Sequence, residues 1–247
     1  MRPVNRVAGA LSRRLGRPEL LAAVSAGDRE AQREAVGISA ALAVTLGGTG
    51  IYVDVGANRG QVLQEAVRIA PEVRHIAFEP IPGLAAELAR RFPTVDCRNK
   101  AIGARAETAE FCHFRRLDGW SGLRRTPEVD DRRGDPEYIT VEVSTLDAEL
   151  EGITPAVVKI DVEGAEVAVL EGGTELIERS RPLVIFEHVY DAAALYGVRR
   201  GAPWDLLGQL DYEIFSSTGD GPFDRARFLA NTDIVNWLAT PRSRPNG

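Results

Sequence analysis

The chain is poor in the residues that build several common kinds of site. Its 247 residues include two cysteines (Cys97 and Cys112), three histidines and one methionine. Two cysteines supply neither a zinc framework nor a disulfide scaffold. Only Lys100 and Lys159 are lysines; every other basic side chain, histidine aside, is an arginine. No apolar run approaches the roughly 18 residues of a spanning helix. The start, MRPVNRVAGALSRRL, is basic but has neither a long apolar stretch nor a cleavage site. A cytoplasmic protein with no membrane partner is the expectation. Charge of one sign is also lacking: 30 basic residues face 36 acidic ones, for a net charge of -6. That balance argues against a general nucleic-acid surface.

What is present is a change of pattern near residue 48. Residues 1–48 read as a helical extension, with apolar stretches at Leu20–Val24 and Ile38–Leu46 and a stop at Gly47-Gly48. Its apolar helices could serve a homodimer or cover a substrate. From residue 49 to 240, short apolar strands alternate with helices. The strands are expected at 50–55, 73–78, 95–99, 157–160 and 183–186, with two more at 212–215 and 234–238. Helices are expected at 59–69, 82–92, 165–171 and 203–210. This alternation predicts an α/β domain, a mostly parallel sheet with helices on both faces. Residues 105–147 interrupt it, with antiparallel strands expected at 108–114 and 138–143 around a polar loop. Residues 241–247 read as a mobile tail.

The sharpest signal is Ile51-Tyr52-Val53-Asp54-Val55-Gly56-Ala57-Asn58-Arg59-Gly60. A strand runs into an acid, a glycine turn and a helix. Gly56 and Gly60 permit close backbone approach or positive φ. The second strand ends at Glu79, close to the spacing at which an acid binds ribose hydroxyls. A solvated strand end is the plainer reading of Glu79. A dinucleotide site would show GxGxxG, because a helix N-terminus must approach pyrophosphate. GANRG lacks that pattern, and no P-loop GK[ST] occurs. S-adenosylmethionine has a ribose but no phosphate, and suits the loop better.

In YVDVGANRGQV, AFEPIPG, NKAIG, STLDAEL and VVKIDVEGAEVAVLEGG, the chain resembles the FkbM family of S-adenosylmethionine-dependent methyltransferases. The resemblance covers residues 48–190. It implies a Rossmann-like, seven-stranded class I methyltransferase sheet in the order 3-2-1-4-5-7-6, with the last strand antiparallel. It also implies O-methylation. By that resemblance Asp54, Gly56, Asn58 and Gly60 line the methionine end of the cofactor, Glu79 the ribose, and Ala101 and Ile102 the adenine.

A second cluster follows at Lys159-Ile160-Asp161-Val162-Glu163-Gly164-Ala165-Glu166. Strand alternation puts Lys159 and Asp161 on one side, where their charges support each other. Glu163 or Glu166 could cap the helix that follows. The next strand ends in Glu187-His188, so Asp161, Glu187 and His188 are expected to converge. They could hold a divalent metal such as magnesium, or form a metal-free polar pocket. His188 is the preferred general base, with Asp161 beside it, because imidazole titrates near working pH. Trp120, Ser121, Tyr190 and Trp204 are candidate acceptor contacts. The expected reaction is methyl transfer to a hydroxyl of a small molecule, a sugar or polyketide-derived natural product. A nucleic-acid methyltransferase and a non-enzymatic cofactor sensor are the alternatives.

Overall fold

A computed structural model describes residues 29–48, 50–114, 121–123 and 137–242. Trp120, the 1–28 segment, the polar loop at 124–136 and the 243–247 tail lie outside them. The chain opens with helix α1 (Arg29–Leu46), then alternates strand and helix: β1 (Ile51–Val55), α2 (Gln61–Ile69), β2 (Arg74–Phe78), α3 (Pro82–Arg91) and β3 (Asp96–Arg98). Three strands of a separate sheet follow: β4 (Ala101–Ile102), β5 (Glu107–His113) and β6 (Glu137–Ser144). The alternation resumes with α4 (Leu146–Glu149), β7 (Val157–Ile160), α5 (Glu166–Glu171), α6 (Thr174–Ser180) and β8 (Leu183–Glu187). Then come α7 (Tyr190–Ala194), α8 (Ala202–Gln209), β9 (Tyr212–Ser216), α9 (Arg225–Ala230) and β10 (Asn236–Pro241).

The main sheet has seven strands in the order β3-β2-β1-β7-β8-β10-β9. That is the expected 3-2-1-4-5-7-6 arrangement. β10 runs antiparallel to both β8 and β9. The interruption is a small sheet, β4-β6-β5, in which β5 and β6 pair antiparallel as expected.

Strand alternation divides the core into two layers. Val53 and Val55 of β1, Val158 and Ile160 of β7, and Val184 and Phe186 of β8 face one layer, covered by α5, α6 and α8. Tyr52, Val157 and Ile185 face the other, against α1 and α2. The second layer therefore also receives the alternating polar positions Asp54, Lys159 and Glu187. α1 is fastened across the sheet by a long-range contact: buried Glu34 accepts hydrogen bonds from the Val235 amide at 3.3 Å and the Asn236 side-chain amide at 2.7 Å. Gly37 is needed beneath it, since a side-chain carbon there would fall 1.9 Å from the Ser217 carbonyl oxygen. Among the described residues, no helix is long and apolar enough to cross a membrane.

Candidate active site

A cavity of about 410 Å³ opens at the carboxyl edge of β1, β2 and β7. Parallel sheets collect ligands at this edge because the loops leaving their strands diverge there. Of the residues expected at the cofactor, Gly56, Asn58, Glu79, Ala101 and Ile102 line the cavity, and Ser121 and Asp161 lie on its wall. The small sheet closes one side through Phe111 of β5 and neighbouring Leu123. The loop ending at Leu123 is expected near the cofactor and acceptor from the family resemblance; Phe111 is not, because nothing local in the sequence shows which way the interrupting segment folds.

The turn after β1 is held from several directions. The Gly56 and Ala57 amides both donate to the Phe78 carbonyl at 3.0 Å. Gly56 has φ 75°, and a side-chain carbon there would lie 1.9 Å from the Asp161 carbonyl oxygen. Glycine is thus required by conformation and by space. Gly60 is not itself a lining residue, although its neighbours Arg59 and Gln61 are. It caps α2 with φ 75°, and a side-chain carbon there would meet Leu88 at 2.7 Å. Its role is the packing of α2 on α3.

Asp54 likewise sits beneath the cavity rather than in it. It is 1% exposed, and its carboxylate accepts the Tyr52 hydroxyl at 3.1 Å. Its other oxygen lies 3.0 Å from the Lys159 ammonium. Lys159 also lies 3.3 Å from Asp161 and donates to the Gly56 carbonyl at 3.0 Å. A buried cation is thereby surrounded by two carboxylates and a loop carbonyl. Burial pulls the lysine pKa down, but Asp161 and Asp54 outweigh it and leave the group above its ordinary value. Lys159 therefore remains charged and ties the glycine turn to β7.

Glu79 is 4% exposed at the end of β2. One oxygen accepts the Asn58 amide at 2.7 Å, and the other the Ile81 amide at 2.9 Å. Burial pushes its pKa up to about 7; the Ile81 and Asn58 amides act the other way without offsetting it. Two backbone donors fix the carboxylate plane, and each oxygen keeps a lone pair for a ligand.

The acidic group after β7 and β8 differs from the expected one. Asp161, Glu163 and Glu187 offer oxygens that all lie within 4.8 Å of one another. Glu163 is turned inward by a left-handed φ of 56°, followed by Gly164 at φ 101°. Glu187 is pushed well above the carboxylate range, first by burial and then by Asp161 and Glu163. Glu166 is a loop-holding residue. Its buried carboxylate accepts the Val162 and Gly164 amides at 3.2 and 2.9 Å.

His188 does not join this group. Adjacent residues at a strand end face opposite ways, so Glu187 turns to one layer and His188 to the other. The His188 ring stacks on Phe228 at 5.9 Å, and its Nε2 lies 3.2 Å from the Arg200 carbonyl oxygen. The expected cation-binding trio of Asp161, Glu187 and His188 is therefore corrected: Glu163 takes the third place. Burial lowers the His188 pKa, leaving the ring neutral near pH 7. With Tyr190 it lines a second cavity, of about 240 Å³. Trp204 lines neither cavity described here; its indole donates to the Phe223 carbonyl at 3.0 Å and packs on the core. Ser121 Oγ accepts the Phe114 amide at 3.0 Å and keeps its own proton to donate.

The sheet order, the antiparallel β10 and the cavity beside the glycine turn define a Rossmann-like class I methyltransferase fold. A family model described as the methyltransferase FkbM domain matches residues 54–200, and the chain belongs to that family. The domain is a methyltransferase domain. No curated protein matches the chain significantly. Among solved structures it is similar to methyltransferase FkbM from Methylobacillus flagellatus KT, at 17% identity and TM-score 0.48. That match covers 77% of this chain but 43% of the other, so the chain spans less than half of that relative. It is also similar to the O-methyltransferase TomG from Streptomyces achromogenes, involved in tomaymycin synthesis, at 14% identity and TM-score 0.46, covering 97% and 89% of the two chains. A third is precorrin-6y C5,15-methyltransferase from Geobacter metallireducens, at 14% identity and TM-score 0.44, covering 84% and 87%.

Proposed function

We propose that the protein transfers the methyl group of S-adenosylmethionine to a hydroxyl of a small molecule, a sugar or a polyketide-derived natural product. The observation that carries this reading is the single cavity that runs from Glu79 past Gly56 to Asp161. Its size falls within the range of roughly 300–1,000 Å³ usual for cofactor sites. Its residues fit the cofactor. Glu79, held by two amides, is oriented to accept two ribose hydroxyls. Gly56 and Asn58 leave room for the methionine end, and Ala101 and Ile102 offer an apolar wall to the adenine. When bound, the cofactor supplies an electrophilic methyl group on a sulfonium.

The chain's own residues do the rest. Lys159 fixes the turn against which the methionine end lies. Asp161, at the far end of the cavity, binds the acceptor hydroxyl and takes up its proton, while Glu187, which keeps its own proton, hydrogen-bonds to Asp161 beside it. Alignment supplies much of the rate effect, and proton removal adds about 10²–10⁴-fold. His188, neutral but facing the other layer, is a positioning residue for the acceptor in this reading. Asp161, Glu163 and Glu187 could alternatively hold a divalent cation at the same place. The test is methyl transfer from labelled cofactor to a panel of hydroxyl, amine and thiol compounds, with the product linkage read by mass spectrometry. Hydroxyl ethers are the expected products. Transfer confined to amines or thiols would replace the oxygen assignment.

A further inference from the structure

The second cavity lies at the same edge of the sheet as the first. β10 runs antiparallel to β8, and its first residue, Asn236, pairs with Glu187. The start of β10 therefore meets the carboxyl end of β8, and the cavity opens between them, bounded by His188, Tyr190, Arg200, Phe228 and Trp237. Its wall is part aromatic, with Asp191, Asn231 and Thr232 adding polar groups. His188 stacks on Phe228, whose ring is 4.6 Å from Trp237. The rim is pinned: the Arg200 guanidinium lies over Tyr190 at 5.3 Å and donates to the Asn231 carbonyl.

The rim also exposes apolar surface. Val189 and Tyr190, adjacent in sequence, are 39% and 40% exposed, and they are two of the four exposed large hydrophobics among the described residues. Side by side at the mouth of a partly aromatic cavity, they mark a surface that meets another molecule. The edge supplies a ruler. β7, β8 and β10 are consecutive neighbours, so the cavity begins one to two strand spacings, about 5–10 Å, from Asp161. A single small ring held at the acidic group leaves this cavity empty. A ring carrying a second ring reaches it.

Building on the methyltransferase reading above, we propose that this cavity is a distal subsite that binds a second, flat ring of the acceptor. The acceptor is then at least two rings long. Its reactive hydroxyl lies at Asp161 and Glu187, and its distal ring stacks among Tyr190, His188 and Phe228. An aryl glycoside has this chemistry: a hydroxyl-bearing sugar at the acidic end and an aromatic ring beyond it.

The test compares two probes on protein loaded with S-adenosylhomocysteine: 4-nitrophenyl β-D-glucopyranoside and methyl β-D-glucopyranoside. Binding is followed by saturation-transfer NMR and calorimetry. The aryl glycoside is expected to bind about tenfold more tightly, the weight of one well-stacked ring. Tyr190→Ala and Val189→Ser change exposed positions and should fold normally. Both are expected to reduce that preference, Tyr190→Ala to near unity, with the affinity for S-adenosylhomocysteine unchanged. Equal affinity for the two probes, no binding of the aryl glycoside, or an unchanged preference in Tyr190→Ala would each overturn the subsite. Failure of S-adenosylhomocysteine to bind would instead overturn the cofactor reading. The probe comparison, repeated on cofactor-free protein, would still decide the subsite.

Discussion

The ammonium of Lys159 lies 3.0 Å from the carbonyl oxygen of Gly56, although the two residues are 103 positions apart in sequence. The same ammonium neutralises Asp54, which is almost fully buried. Removing the cation while keeping the anion leaves a buried charge unpaired. Lys159→Met is therefore expected to cost about 3–5 kcal/mol of stability in chemical denaturation. Asp54→Asn combined with Lys159→Met should recover part of that loss. A single variant as stable as the parent would show that the pair does not hold the fold.

Glu79 gives a prediction about the cofactor. Glu79→Ala should weaken S-adenosylhomocysteine binding by about tenfold or more, since it removes hydrogen bonds to a charged group. Unchanged affinity in a folded variant would reject its assignment to the ribose.

The same residue predicts a pH dependence. Its pKa in the free protein is raised to about 7, chiefly by burial. The ribose hydroxyls donate to the ionised form, so lowering the pH through 7 protonates Glu79 and weakens binding. Calorimetry should show affinity for S-adenosylhomocysteine rising from about pH 6 to about pH 8, and Glu79→Gln should flatten that slope. The stability term has the opposite sense. A carboxyl group whose folded pKa is raised stabilises the protein below its unfolded value near 4.5, and that contribution is lost as pH rises through 7.

Proton transfer separates Asp161 from His188. With an acceptor found by the methyl-transfer screen, Asp161→Asn should lower kcat by about 10²-fold. His188→Ala should act mainly on the acceptor KM. A collapse of kcat in His188→Ala, with KM unchanged, would return the base to the histidine.

The acidic trio predicts metal behaviour. Glu187 holds its proton tightly because Asp161 and Glu163 crowd it. Proton and cation compete for the same oxygens, so stripping divalent ions with a chelator should leave turnover unchanged. Activity lost on chelation and restored by magnesium would make the trio a metal site.

Much of this was legible in the sequence because strand ends carry their own punctuation. Val157–Ile160 was read at its observed bounds, and Lys159 beside Asp161 follows from alternation alone. The partner Asp54 was not read, because it depends on which strand lies beside β7. In the sheet, Asp54 of β1 stands opposite Lys159, and no local pattern records that register. His188 was the reverse case. Alternation at the end of β8 separates it from Glu187, but their shared chemistry drew them together. Glu163 was hidden by a left-handed turn, although Gly164 just after it was the available signal.

The strand that completes the sheet is made late. β10 is inserted between β8 and β9, both of which precede it in the chain. During synthesis on the ribosome, the facing edges of β8 and β9 must wait unpaired for residues 236–241 to emerge. Such edges invite pairing with other chains. Nascent protein halted before Asn236 should therefore need chaperone cover, and released fragments of that length should aggregate where the longer chain does not.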